Sequence, residues 1–527
     1  MGEAGDRSRE VRARQGDLPC PSRGDAVKRI VPRDMALASP EFEALAEQLV
    51  RQQGRRARAH CGFLAGARKS VDLVAISLRA RELAEPDQLS AVLEALASAT
   101  PSERTSLRRL ALALLEEAVA QGNAASQSSA LQRLGTAQVS VEYELIALPD
   151  GMRERRVCLD RKRRTGLARG ESRALEPMAT AQAEGVERRL SVRSRAGLGE
   201  ESAYAALLGL DLDALSSASE LLLRQTRDAA QDLCAYRLRR ARVDAGGGGA
   251  GHDLEVALEL LDLREHLSPT AAVRLSEQLA RDLALEPSAQ GKISLDAELR
   301  GGRFPGLCVG IFGLDELAVV SAPLESPVDV ERLVRGRGEA LHRASIDSGC
   351  DDLERGVLDP ALPRATGLLF ARTLTEPAWI RRALRLPSRP SQELSQAFGL
   401  RALMELRGAA ARFLFARELE RAGPSPRLRE LYRERMGQAH FVDVPADGAW
   451  DSALSLAGAE LWAHAIAHSL ADAMLDNFNE DWWRNPHAAE LLRAFWSPGG
   501  GVELESVLGR PPALDKLGAD AIARAAR

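Results

Sequence analysis

Hydrophobic positions along this chain recur mostly at helical spacing. From Pro40 onward Phe42, Leu45 and Leu49 lie on one helical face, and the same period continues through Val71–Leu83, Gln88–Ala97 and Ser102–Ala120. Val139, Val141, Tyr143 and Leu145 instead alternate with polar residues. The turn residues Pro149, Asp150 and Gly151 then lead to Val157 and Leu159, which predicts a hairpin reversing at that turn. Helical spacing resumes near Glu201 and runs through Ala214–Val243 to the consecutive glycines Gly246–Gly249, which read as a surface loop. A second strand region spans about 292–322: Ile293, Leu295, Ala297 and Leu299 alternate, and Leu307–Phe312 and Leu317–Val320 are short apolar runs between Gly and Pro. Beyond Pro327 every periodic segment is helical, the longest being Gln392–Arg421 and Asp451–Phe478.

The pattern predicts a mainly α protein with one small sheet set in its middle. Three regions follow: a flexible tail over 1–38, an N-terminal helical lobe with a hairpin over 39–200, and a second helical lobe containing the sheet over 201–527.

Composition narrows the function classes. With 71 basic and 75 acidic side chains, a net charge of −4, and 45% hydrophobic residues, the chain is of globular type and offers no global attraction for nucleic acid or anionic lipid. The segment Arg153–Arg173 is locally basic, yet no aromatic residue is interleaved for base stacking, so it reads as a solvated face or loop. The N-terminal stretch has no apolar core of a signal peptide, and the expected location is the cytoplasm. The six cysteines stand at least forty residues apart, which excludes a Cys-x-x-Cys ligand pair and makes reduced thiols the default. Neither a Gly-x-Ser-x-Gly elbow nor a His-Glu-x-x-His helix occurs.

From Lys292 to Leu374 the order of elements is nonetheless distinctive: a strand at Ile293–Arg300, a second at Leu307–Gly313, a short third ending Ser321-Ala322-Pro323, and a helix entered through Pro327-Val328-Asp329 and carrying Arg335-Gly336-Arg337-Gly338-Glu339-Ala340-Leu341-His342. This run resembles the catalytic core of the thimet oligopeptidase and oligoendopeptidase F family of zinc metallopeptidases. The resemblance implies a spindle-like helical fold with a central cleft, the small sheet lying just before the active-site helix. It also implies that Arg335 stands for the first zinc histidine, Gly336 for the general-base glutamate and Glu339 for the second histidine. Thr366, or Arg364 on a shifted register, stands for the glutamate ligand. A catalytic zinc needs three lone-pair donors and an open position for water. Arginine offers only donor N–H groups and a fixed positive charge. No zinc, no other cofactor and no catalytic residue are therefore expected.

Arg335 and Glu339, four residues apart, read as a helical ion pair. Glu339-x-x-His342 has the spacing of half a di-iron site, but no other histidine has Glu three residues before it. Near the C-terminus Glu460, His464, His468 and Asp472 recur every four residues, opposite an apolar stripe of Trp462, Ile466, Leu470, Met474 and Phe478. These polar residues, with His342, are candidates for lining the cleft. The leading expectation is a catalytically inactive peptidase-like protein that binds a peptide or a protein segment, with no nucleic-acid or membrane partner. The alternative is an active metallohydrolase whose ligands have moved to His464, His468 and Asp472.

Overall fold

A computed structural model describes residues 39–243, 249–267, 269–285, 292–298, 301–311, 316–450 and 453–526. The described residues form one compact unit. The expected tail over 1–38 lies outside the described residues, as does most of the glycine tract.

The principal elements are α1 (Pro40–Leu64), α2 (Pro101–Gly122), the strands β1 (Gln138–Val141) and β2 (Glu144–Ala147), and α3 (Arg161–Arg195). Then come β3 (Ile293–Asp296), β4 (Leu307–Ile311) and β5 (Leu317–Ser321), followed by α4 (Pro327–Ala344), α5 (Ala361–Arg372), α6 (Ser388–Ala422), α7 (Leu454–Phe478), α8 (Ala488–Trp496) and α9 (Leu517–Ala526). Shorter helices connect them.

Local chemistry sets the key boundaries. The α4 helix begins with Pro327 in its first turn and with a capping box in which Asp329 accepts hydrogen bonds from the backbone N–H groups of Ser326 and Glu325, at 3.1 and 3.0 Å. Asp160 caps α3 by accepting from the Lys162 and Arg163 amides. In the sheet, β5 lies between a parallel β3, with Ile293 opposite Leu317, and an antiparallel β4, with Cys308 opposite Val320. Every residue of β5 is buried, as befits a central strand covered on both faces.

One apolar cluster joins the sheet to α4, α5, α7 and α8 around Phe370, Trp379, Phe495 and Trp496. A second runs from Leu45 on α1 through α2 to α6, α7 and Ala525 on α9. On α7 the stripe behaves as its spacing predicts: Ile466, Leu470 and Met474 are fully buried, with Trp462 and Phe478 packed partly buried at its ends.

The most extensive helix pair is α4 on α5, and glycines bring the two together. A Cβ at Gly338 would lie 3.0 Å from the Phe370 ring and 3.1 Å from the Gly367 Cα; one at Gly367 would lie 2.8 Å from the Cγ atoms of both Arg335 and Glu339. On the sheet side, a Cβ at Gly336 would meet Leu307 of β4 at 2.7 Å.

Three sequence expectations are corrected. The hairpin exists, but it reverses at Glu142 and Tyr143, with Val141 opposite Glu144 and Glu142 at φ 55°. Pro149, Asp150 and Gly151 instead open a helix, Leu148–Val157, in which proline and an acidic residue suit the first turn and Gly151 packs beside Val139. The basic segment is helical and only partly solvated: Arg161, Lys162, Arg169 and Arg173 are exposed, but others are not. Arg156 turns inward to Glu259 and Asp329 at 2.8 and 2.7 Å, Arg164 pairs with Asp253, and Arg155 holds Glu171 at 2.8 Å. Finally, Cys61 of α1 and Cys308 of β4 form a disulfide, with Cα atoms 6.1 Å apart, while Cys158, Cys234 and Cys350 are free. Their 247-residue separation carries no local signal of pairing.

Two substitutions test this packing. Gly338→Ala should destabilise the fold by about 1–3 kcal/mol despite alanine's better helix propensity, because α4 cannot back away from α5 without opening the core. Ile466→Ala should cost about 2–5 kcal/mol through lost transfer energy and an unfilled cavity. Both are read from urea midpoints at unchanged m value.

Candidate functional site

The sheet and its capped helix deliver Glu331 and Arg335 of α4 to an interior cavity that Glu405 of α6 also lines; Arg335 meets Glu405, and Glu331 meets Arg401, which lies outside this cavity on α6. The two pairs of charges are both spaced four residues apart, and each contact joins residues seventy apart, so the helices run in the same sense here. Arg335 donates from Nη1 and Nη2 to the two oxygens of Glu405 at 2.5 and 2.8 Å, a two-pronged geometry that fixes both side chains. Its other neighbour is Glu331, at 3.8 Å, and Glu331 is itself held by the Nε of Arg401.

Burial would lower the Arg335 pKa, but the Glu405 and Glu331 carboxylates more than reverse this and raise it. For Glu405 burial opposes ionisation, and the Arg335 charge and hydrogen bonds, aided by Arg401, pull its pKa well below the usual carboxylate range.

His464 of α7 also lines this cavity, and burial, reinforced by the Arg335 charge against the pull of Glu405, pushes it down to about 4. The far wall is α5 and α9: Arg372 grips Asp520 through two hydrogen bonds of 2.9 Å, and Arg524 enters the cavity beside them, 3.0 Å from Asp520. The α9 helix lies hard against α6, where a Cβ at Gly399 would lie 2.5 Å from the Arg524 carbonyl oxygen. The space left measures about 40 Å³, enough for a few water molecules.

No protein-family model matches the chain, and no curated protein does. Solved structures do. A protein assigned as oligoendopeptidase F has 14% identity over 95% of this chain and 97% of its own, with a TM-score of 0.61. Another so assigned, from Bacillus anthracis, has 12% identity over 83% of this chain and 82% of its own, with a TM-score of 0.59. The M32 carboxypeptidase from Deinococcus radiodurans has 11% identity, covering 91% and 97%, with a TM-score of 0.51. This is a helical metallopeptidase fold.

Metallopeptidases of this fold imply a zinc ion, and the residues at the expected positions do not suit one. The guanidinium of Arg335 presents only donors, Gly336 has no side chain, and Glu339 lies by Gly367, where burial raises its pKa against the charges of Arg335, Arg364 and Arg343. Thr366 is turned away from the cavity: its hydroxyl oxygen lies 2.9 Å from Nδ1 of His342 and accepts from Trp496 Nε1 at 3.0 Å. Arg364, the alternative register, reaches the Leu456 carbonyl at 3.5 Å. Among the described residues, no three His, Cys, Asp or Glu side chains are placed to hold a metal.

The structure separates several residues that sequence spacing grouped. Arg335 pairs with Glu405 rather than with Glu339, because the carboxylate of another helix meets both of its outer nitrogens. His342 does not line the cavity; it is fully buried, edge-on to Phe495 at 5.2 Å, and burial holds its pKa well below the usual value. Of the four polar residues on α7, only His464 and His468 reach the cavity. His468 sits between Asp520 and Asp472, at 3.5 and 3.6 Å, while Asp472 is taken by Arg510 at 2.8 Å and Glu460 by Arg412 at 2.7 Å. His464 and His468 therefore share the cavity and Asp472 lies beside His468, but the Asp472 carboxylate is committed to Arg510 and the three are not placed as a metal-binding group. Sequence reading missed Glu331, Arg401, Glu405, Asp520 and Arg524. The one available signal was the matched Glu-x3-Arg and Arg-x3-Glu spacing on two predicted helices.

Replacing Arg335 with Met should destabilise the fold by about 3–5 kcal/mol, since Glu405 is left charged and buried, and adding Glu405→Leu should recover most of the loss in a double-mutant cycle. Acid should act in part through His464, along with His342 and His440, whose pKa values burial also lowers. The unfolded chain binds the His464 proton near pH 6.5 and the folded chain only near pH 4, so stability is full above 6.5 and falls by about 1–3 kcal/mol on acidification through that window. In His464→Asn the loss of melting temperature between these pH values should be shallower.

Proposed function

We propose that this protein is a catalytically silent relative of the helical zinc peptidases, acting by binding a peptide or protein segment rather than by cleaving one. The observation that carries this reading is the guanidinium of Arg335, clamped by Glu405 on the face of α4 that the resemblance assigns to zinc binding. A fixed cation there repels a divalent ion electrostatically, and its partner carboxylate is already committed. Gly336 supplies no general base, and Leu307 fills the space into which a longer side chain would point. Thr366 spends its hydroxyl within the core. In this reading the His-Glu-x-x-His site is degenerate at every chemical position, and the fold is retained for its surfaces and clefts.

Metal analysis of protein purified without chelators, paired with a broad quenched-peptide assay, decides the matter. The expected result is substoichiometric zinc and no chelator-sensitive cleavage. Appreciable cleavage abolished by a chelator overturns the proposal. The triple variant Arg335→His, Gly336→Glu and Glu339→His should remain inactive, because position 366 still lacks a carboxylate and Leu307 still obstructs position 336.

A further inference from the structure

A second, larger pocket of about 440 Å³ is lined by other residues of the same two helices, Arg332 of α4 and Arg401 of α6. Its remaining walls come from α3, from the helix Gly251–Leu258 and from the helix Pro426–His440 with the loop that follows. The volume is in the range of small-molecule sites.

Its polar groups are incompletely used by the protein. Arg401 commits only Nε, to Glu331, and neither of its Nη nitrogens has a hydrogen-bond partner among the described residues. Arg332 donates Nη1 to Asp329 at 3.0 Å, and its Nη2 comes no nearer than 3.8 Å to Glu259. On the α3 wall Glu171 is 4% exposed; one carboxylate oxygen accepts from Arg155 at 2.8 Å, and the other, Oε1, is buried with no hydrogen-bond partner among the described residues. An unsatisfied buried carboxylate oxygen costs the fold free energy, and a donor supplied from outside would recover it. The rest of the lining is mixed: Leu175, Leu254, Leu258, Met436 and Val442 give it aliphatic surface, and its carboxylates Glu255 and Glu259 are already paired with Arg155 and Arg156.

We infer that this pocket binds a small amphipathic carboxylate: its acid group on the outer nitrogens of Arg401 and Arg332, its apolar body against the aliphatic walls, and an N–H or O–H donated to Oε1 of Glu171. Two guanidiniums favour a carboxylate over a neutral head group, and the free Glu171 oxygen favours a ligand that also carries a donor. The inference stands apart from the question of cleavage, because no residue of the Arg335 position takes part.

Titration calorimetry on the full chain with three probes tests it. N-acetylphenylalanine has the acid, the apolar ring and the N–H donor; its amide lacks the acid; phenylpropionate lacks the donor. The expected order is N-acetylphenylalanine tightest, with each of the other two weaker by about tenfold or more. Glu171→Gln should reduce the advantage of N-acetylphenylalanine over phenylpropionate, and Arg401→Met should remove its advantage over the amide. Because Arg401→Met also strips Glu331 of its partner, Ser172→Phe, which fills the pocket from its α3 wall without touching an ion pair, serves as the second variant and should abolish binding. Equal affinity for acid and amide, no binding of N-acetylphenylalanine, unchanged binding in Ser172→Phe, or binding only of long peptides ending in phenylalanine would each overturn the assignment.

Discussion

Two arginines and two glutamates, locked between α4 and α6, are the constraint around which this molecule is arranged. Arg335 with Glu405 and Arg401 with Glu331 bring two positive and two negative charges together in a largely buried region. Burial of any one alone would cost several kcal/mol, and the set is tolerable because each charge meets its opposite at hydrogen-bonding distance. The set also divides the interior. On one side lies the small cavity roofed by α9; on the other lies the larger pocket reached by the spare nitrogens of Arg401.

On the proposed reading of a silent peptidase relative, the same contact accounts for how such a scaffold persists without the ligands of a peptidase. A metal site is a cluster of like donors that repel one another until a cation arrives. Here a cation is built into the chain, so the helices around it need no exogenous ion to be compatible. The glycines of α4 then acquire a packing role: Gly338 admits Phe370 and Gly367, and Gly336 admits Leu307.

Elements governed by local rules were legible in the sequence, and partnerships were not. The sheet near 292–322, the proline and capping box that open α4, and the apolar stripe of α7 follow from periodicity and terminal chemistry, and each is present. The hairpin turn was misplaced because Pro149-Asp150-Gly151 suits a helix start as well as a reversal, and only the packing of Gly151 on Val139 decides between them. Arg155, Arg156 and Arg164 looked solvated because their carboxylate partners, among them Glu259, Asp329 and Asp253, are drawn from distant segments. His342 and Thr366 were read as site positions and are instead one hydrogen-bonded element of the core with Trp496. Glu405, the partner that gives Arg335 its meaning, lies seventy residues further on.

The disulfide between Cys61 and Cys308 has a mechanical consequence for such a body. It fastens α1 to the strand against which Gly336 of α4 packs. With that seam covalently closed, α1 and β4 can turn about it but cannot part, so any breathing motion between the two must use it as a pivot. Reduction would convert the pivot into an ordinary packed edge, held by side-chain contacts alone and free to open.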